Sequence, residues 1–310
     1  MPDIKKSFPY VLITAFCFGT METALKLGGS SFDPIQLTFL RFFIGGVLLI
    51  PFAAADLKKR NYRLTAGDMI YLAILGLVCV CFSMTLFQIG VMKTNAALAA
   101  LIISANPVFT MIFAHFLTSD KFDRKKLLVL IICVAGLVVA ADPKKLLSGN
   151  NISGILIVLV ASVAFGLYTA LGKKRIAKIG GWSQNCFSFL FGCAGLFIYL
   201  VASGRPIVKG ISLSSAPLLL YLGIVVTGIG YIAFLKAIAA GGPSAASVSF
   251  FIKPVIAMAA AYIFLHEAVT PHMIAGAVLV ICGSAINIIP FKAKHSSQTL
   301  QTKTKANAKA

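Results

Sequence analysis

Charge is scarce in this chain. Only 12% of its 310 residues are Asp, Glu, Lys or Arg, and 59% are apolar. A soluble domain is nearer a quarter charged and half apolar. No water-soluble core of ordinary size could hide so much apolar surface, so the composition implies a polytopic membrane protein. Acidic residues are scarcer still, 9 against 28 Lys and Arg, giving a net charge of +19. In a soluble protein that balance would suggest nucleic acid. Here the basic residues fall in short runs between apolar spans, where membrane topology explains them, and no nucleic-acid partner is expected.

Reactive motifs are also lacking. All seven cysteines lie inside apolar stretches, with no CxxC and no metal-ligand spacing, so they read as small packing residues. HExxH, GxSxG and Walker A patterns do not occur, which argues against an enzyme and against direct ATP coupling. No metal and no cofactor are expected. Lys5 and Lys6 precede an apolar run as in a signal peptide, but no small-residue cleavage site follows and Glu22 interrupts the run. The segment reads as a retained first helix.

What is present is a series of apolar windows long enough to cross a bilayer, about 17–25 residues each. The first five fall near 9–27, 34–54, 68–92, 95–118 and 124–141. The second five fall near 152–171, 183–203, 216–238, 243–265 and 270–290. Their length and lack of alternation favour helices over a barrel. Asp33-Pro34 and Thr270-Pro271 read as N-caps followed by a first-turn proline, and Thr65 with Asp68 as a capping box.

Placing both termini inside puts Lys5, Lys6, the runs around 58–63, 121–126 and 173–178, and the tail on the cytoplasmic side. Those segments hold nineteen Lys and Arg, against five (Lys93, Lys144, Lys145, Arg205, Lys209) in the outer loops. The expected location is the cytoplasmic (inner) membrane, multi-pass, with cytoplasmic termini. The tail, 292–310, reads as disordered, basic and facing anionic lipid.

The stretch ISANPVFTMIFAHFLTSD (103–120) returns as SFFIKPVIAMAAAYIFLHE (249–267). A constant shift of 147 carries Pro107 to Pro254, Ala99 to Ala246, Gly45 to Gly192, Gly76 to Gly223, Gly136 to Gly283 and Asp120 to Glu267. Five spans per half is an odd number, so the two copies must cross in opposite senses. The predicted architecture is all-α, ten transmembrane helices in two inverted-topology repeats of five, 1–147 and 148–291. Such repeats are typical of secondary transporters, with the substrate site near the midplane.

Charges inside a membrane need a partner or a wet cavity. Lys253 lies ten residues into span nine, about 15 Å down. Ser249, Ala246 and Gly242 share its face. Its shifted counterpart, Asn106, shares a face with Ile102, Ala99 and Asn95. These two seams are expected to line a substrate cavity, with Pro107 and Pro254 opening backbone carbonyls or permitting bending. Gln88 (with Thr85) on span three, Tyr168 on span six and Tyr231 on span eight are further candidate substrate contacts. Glu22 sits one turn from Lys26 and at the depth of Arg41. It reads either as an ion pair joining spans one and two or as a proton- or cation-responsive group at an outer gate. Lys26 and Lys236 are expected to snorkel, and His115 and His266 to be interfacial.

The order of FGTMETALK, DPIQLTFLRFFIGG, NPVFTMIFAHFLTSD and KPVIAMAAAYIFLHEAVTPHMIAGAVLVICGSAI resembles the EamA-type transporters of the drug/metabolite transporter superfamily. The resemblance covers nearly the whole chain apart from the tail. It implies ten helices, a central cavity lined by spans one, three, four, six, eight and nine, and export of small metabolites. Phe18-Gly19 stands where the family often has Trp-Gly, Asp120 where it has Glu, and Lys253 is not general to it. A lysine and amides at the site favour a carboxylated substrate such as an amino acid. The single buried acid permits proton coupling without requiring it, and a homodimer is compatible with the sequence. An intramembrane enzyme acting on a lipid-linked substrate and a non-transporting scaffold stay open as alternatives.

Overall fold

The computed structural model describes residues 4–117, 124–142 and 152–288. Asp120, Lys121, Lys144, Lys145 and the tail from 292 lie outside the described residues.

Local chemistry sets the helix ends where the sequence suggested. Asp33 accepts from the backbone N–H of Ile35 and Gln36 (2.9 and 3.3 Å) ahead of α3, Pro34–Arg60. Thr65 and Asp68 accept from each other's N–H at the start of Ala66–Gly76, α4. Thr270 accepts from Met273 N–H before Pro271–Ile288. Each cap gives a partner to first-turn amides that the helix itself leaves free.

The first span is two helices, α1 (Ile4–Gly19) and α2 (Met21–Gly28), meeting at Thr20. α4 runs through a wide π-helical segment, Leu77–Met84, into α5, Thr85–Lys93. The fourth span is also divided, into α6 (Ala96–Ser104) and α7 (Asn106–Leu117). Then come α8 (Arg124–Ala140), α9 (Ile152–Lys173), the short α10 (Ile176–Ile179) and α11 (Gly181–Ala202). α12 (Ala216–Leu220) leads through a second π-helical segment, Tyr221–Ile229, into α13 (Gly230–Leu265); α14 is Pro271–Ile288. No strand occurs among the described residues.

α13 does not run straight. Sixteen residues of straight helix would separate Phe234 from Phe250 by about 24 Å, yet their ring centroids are 5.6 Å apart. The segment therefore doubles back, with α1 packed along it. Phe18 touches both arms, at 6.3 Å from each phenylalanine. Eight stretches are long and apolar enough to cross a membrane, among them Ala216–Ala240 and Val248–Leu265, the two arms of this hairpin. Two shorter apolar helices, Leu127–Ala140 and Pro271–Gly283, stand where spans five and ten were expected.

Close contacts between helices come in pairs related by the shift of 147. A Cβ on Gly76 would lie 2.2 Å from Ser188 O and 2.6 Å from Gly192 N. One on Gly223, the shifted Gly76, would lie 2.7 Å from Ile44, beside Gly45, the partner of Gly192 under the same shift. Gly19 abuts Ile256 at 2.7 Å, and Gly166 abuts Phe109 at 2.6 Å, again the shifted pair. The two π-helical segments also fall at overlapping shifted positions. Small residues at these crossings let helix backbones approach closely, which is how helices gain packing energy in lipid.

On the face bearing most of the basic loops, Asp68 is buried and accepts from Tyr62 and Thr65 hydroxyls and from Arg175 at 2.9 Å. This ties the start of α4 to the α9–α10 turn. The neighbouring Lys178 ammonium is held above its usual range, first by its contact with Tyr62.

Candidate functional site

Three charged side chains are buried deep in the helices: Glu22 and Arg41, each 1% exposed, and Lys253, 3% exposed. Lys253 Nζ lies 2.7 Å from Glu22 Oε1. The contact joins α2 to the second arm of α13. It depends on Gly19, whose missing side chain lets α13 approach until Lys253 O is 3.3 Å from where a Cβ would be. The sequence suggested an ion pair joining spans one and two, with Arg41 at the depth of Glu22. Among the described residues Arg41 forms no ion pair with it, because the start of α2 faces α13 more closely than α3. Glu22 Oε2 has no hydrogen-bond partner among the described residues. Breaking such a buried pair costs about 3–5 kcal/mol, since one charge is left uncompensated.

Arg41 has no carboxylate partner among the described residues. Its Nη1 points at the thioether of Met21 at 3.8 Å, and its Nε and Nη2 have no partner among the described residues. The guanidinium carbon sits 4.4 Å above the Phe42 ring. From Phe42 an aromatic chain runs to Phe189 (4.8 Å), Tyr231 (4.9 Å) and Phe18 (5.2 Å), next to Gly19 and the ion pair. Tyr231 keeps part of its surface accessible within this packing.

The predicted polar seams are differently used. Ser249 is buried and its hydroxyl donates to Ala246 O at 2.7 Å, on the same arm as Lys253. Asn106 is buried and accepts from Thr110 at 3.2 Å. The face it was expected to share with Ile102, Ala99 and Asn95 is interrupted, because Ala105 (ψ 0°) divides α6 from α7 just before Pro107. Pro254, by contrast, lies within unbroken helix. Asn95 is the N-cap of α6, its side chain accepting from Leu98 N–H at 3.1 Å. Gln88 is fully buried, donates to Leu25 O at 3.2 Å and leaves Oε1 unpartnered. Tyr168 donates to Asn185 Oδ1 at 2.9 Å. Lys236 is exposed and lies 5.6 Å from the Tyr10 ring centre.

Sequence reasoning missed the arrangement where α2, α6 and the end of α13 meet. Lys26, expected to snorkel, forms an ion pair with Glu267 and donates to Thr94 O at 2.6 Å. Glu267 Oε2 accepts from Ala96 N–H at 2.7 Å, the first amide of α6, where a negative charge is favoured. His266 (φ +53°) ends α13 in a left-handed turn that presents Glu267 to α6. Glu267 also lines a cleft of about 280 Å³, with Asn95, Leu98, Asp142 and Met273. The repeat had singled out Glu267, but nothing in the sequence named its partners. Among the described residues no group of His, Cys, Asp and Glu could hold a metal ion.

The model of the EamA-like transporter family matches residues 6–141 and again 152–289. A protein of Clostridium kluyveri described as an uncharacterized transporter is 38% identical over 92% of this chain and 93% of its own length. A Streptantibioticus cattleyicolor protein, described as a "probable terminal-alkyne amino-acid exporter", is 23% identical over 90% of this chain and 92% of its own. One solved crystal structure superposes with a TM-score of 0.63 at 19% identity, over 92% of this chain and 97% of its own, and so shares the fold.

Proposed function

We propose that this chain, which belongs to the EamA-like transporter family, moves a small carboxylated metabolite across the cytoplasmic membrane by alternating access, outward in its net direction. The family and its matched relatives are transporters, not enzymes. The finer reading is ten spans in two inverted repeats of five, 1–147 and 148–291, with both termini cytoplasmic. The observation that carries it is the exchange of contacts under one shift: Gly76 with Gly192 against Gly223 with Gly45, and Gly19 with Ile256 against Gly166 with Phe109. Two equivalent halves so related can adopt two mirror-related states around a central site. The two separate family matches agree with that division.

The site would be the region around Glu22, Lys253 and Arg41, with Gln88, Asn106, Ser249, Tyr168 and Tyr231 around it. Asn95, Pro107 and Pro254 would act in opening and closing the path. Amino acids or their derivatives are the proposed class, in line with the exporter description of the Streptantibioticus relative. Proton coupling through Glu22 belongs to the same reading. Counterflow in proteoliposomes tests it. Exchange of a radiolabelled amino acid or carboxylic acid, lost in Lys253→Met, is expected. Absence of exchange for every solute in a metabolite panel would leave a scaffold as the better reading. Comparing Glu22→Gln with and without an imposed pH gradient tests coupling.

A further inference from the structure

We infer that Arg41, rather than Lys253, anchors the carboxylate of the transported molecule, and that this molecule is a monoanion with an uncharged, largely apolar body. The inference rests on the transporter reading above and narrows it to one residue and one charge type.

The first support is the charge balance. Apart from Asp68, which Arg175 matches at the start of α4, the buried charges among the described residues are Glu22, Arg41 and Lys253, two positive and one negative. Lys253 is already matched by Glu22 at 2.7 Å. Arg41 is left over, 1% exposed, with only a thioether sulfur at 3.8 Å as acceptor. A guanidinium withdrawn from water to that degree calls for an anion and for hydrogen-bond acceptors.

The second support is the geometry of what is free. Nε and Nη2 are the unpartnered nitrogens. These two carry parallel N–H bonds along one edge of the guanidinium, the edge that fits both oxygens of a carboxylate. Nη1, on the other edge, is turned toward Met21. The free edge is therefore the two-pronged one.

The third support is the lining. Phe42 lies under the guanidinium, and Phe189 and Tyr231 continue from it. No second unmatched cation stands there among the described residues, so a dianion such as a phosphate monoester would leave one charge uncompensated. Aromatic walls favour an apolar body beyond the carboxylate.

Binding to the purified full-length protein in lipid nanodiscs tests this. The probes are benzoate and 3-phenylpropionate, their neutral amides, and chloride, each at millimolar concentration. Carboxylates are expected to raise the unfolding temperature and bind by calorimetry, with amides and chloride doing neither. Arg41→Gln is expected to weaken carboxylate binding by about 10–100-fold, the scale of a charge-assisted bidentate contact. Arg41→Lys keeps the charge without the fork and covers the case in which the glutamine variant does not fold; about a tenfold loss is expected of it. Carboxylate binding undiminished in either variant, no carboxylate effect on the wild type, or equal stabilisation by amides or chloride would overturn the assignment. Counterflow separates the two levels. No exchange of any solute defeats the transporter reading, whereas exchange of neutral or cationic solutes untouched by Arg41→Lys defeats this inference alone.

Discussion

Lys26, in the last turn of α2, is paired with Glu267, two residues past the end of α13, and Glu267 also holds the first amide of α6. One carboxylate thus ties three segments together beside the cleft that it lines. Their sequence separation is 241 residues for Lys26 and 171 for Ala96.

If this contact closes the outer path, Glu267→Gln should open it. A cysteine placed at Ala268 should then react faster with a membrane-impermeant maleimide, and Lys26→Met should have the same effect. The double variant should react no faster than either single one, because both remove one contact. The pair is partly exposed, so the stability loss should be only about 1–3 kcal/mol. Unchanged labelling rates would remove the gate from the scheme.

The Glu22–Lys253 pair predicts a non-additive series. Lys253→Met and Glu22→Gln should each destabilise the protein by about 3–5 kcal/mol, read from thermal unfolding in detergent. Combining them should cost less than the sum, because no orphaned charge remains. Strict additivity would mean that the two side chains do not interact in the membrane.

Repeat-equivalent glycines should differ in tolerance. A Cβ at Gly76 would lie 2.2 Å from Ser188 O, whereas one at Gly223 would lie 2.7 Å from Ile44 Cβ, so the overlap to be relieved is larger at Gly76. Gly76→Ala should therefore cost about 1–3 kcal/mol and Gly223→Ala less. Heating each variant and following the monodisperse peak by size exclusion measures the difference. Equal losses would contradict the packing described here.

Sidedness is open to direct measurement. Cysteines at Ser212 and Lys174 should be labelled from opposite faces, Ser212 from outside intact cells and Lys174 only after permeabilisation. The same side for both would mean that Gly181–Ala202 does not cross the membrane, and labels exchanged between the two faces would overturn the orientation.

Much of the fold was legible in the sequence because lipid imposes simple rules. Apolar length marks the spans, and Asp33, Thr65 and Thr270 announce helix starts through local hydrogen bonds. The candidate site was less legible. Glu22, Arg41 and Lys253 were conspicuous as charges in greasy surroundings, but which acid meets which base depends on distances between helices far apart in the chain. Periodicity also assumes an unbroken helix, and it failed for Asn106 and Asn95, where Ala105 ends the register.

From its residues alone, then, this chain determined a membrane-embedded, duplicated helical protein with three costly charges inside it. Tertiary structure decided that Gly19 brings Lys253 to Glu22 and leaves Arg41 without a counterion. The reason is physical: burial and periodicity are properties of a single segment, whereas a charge pair is a property of the gap between two.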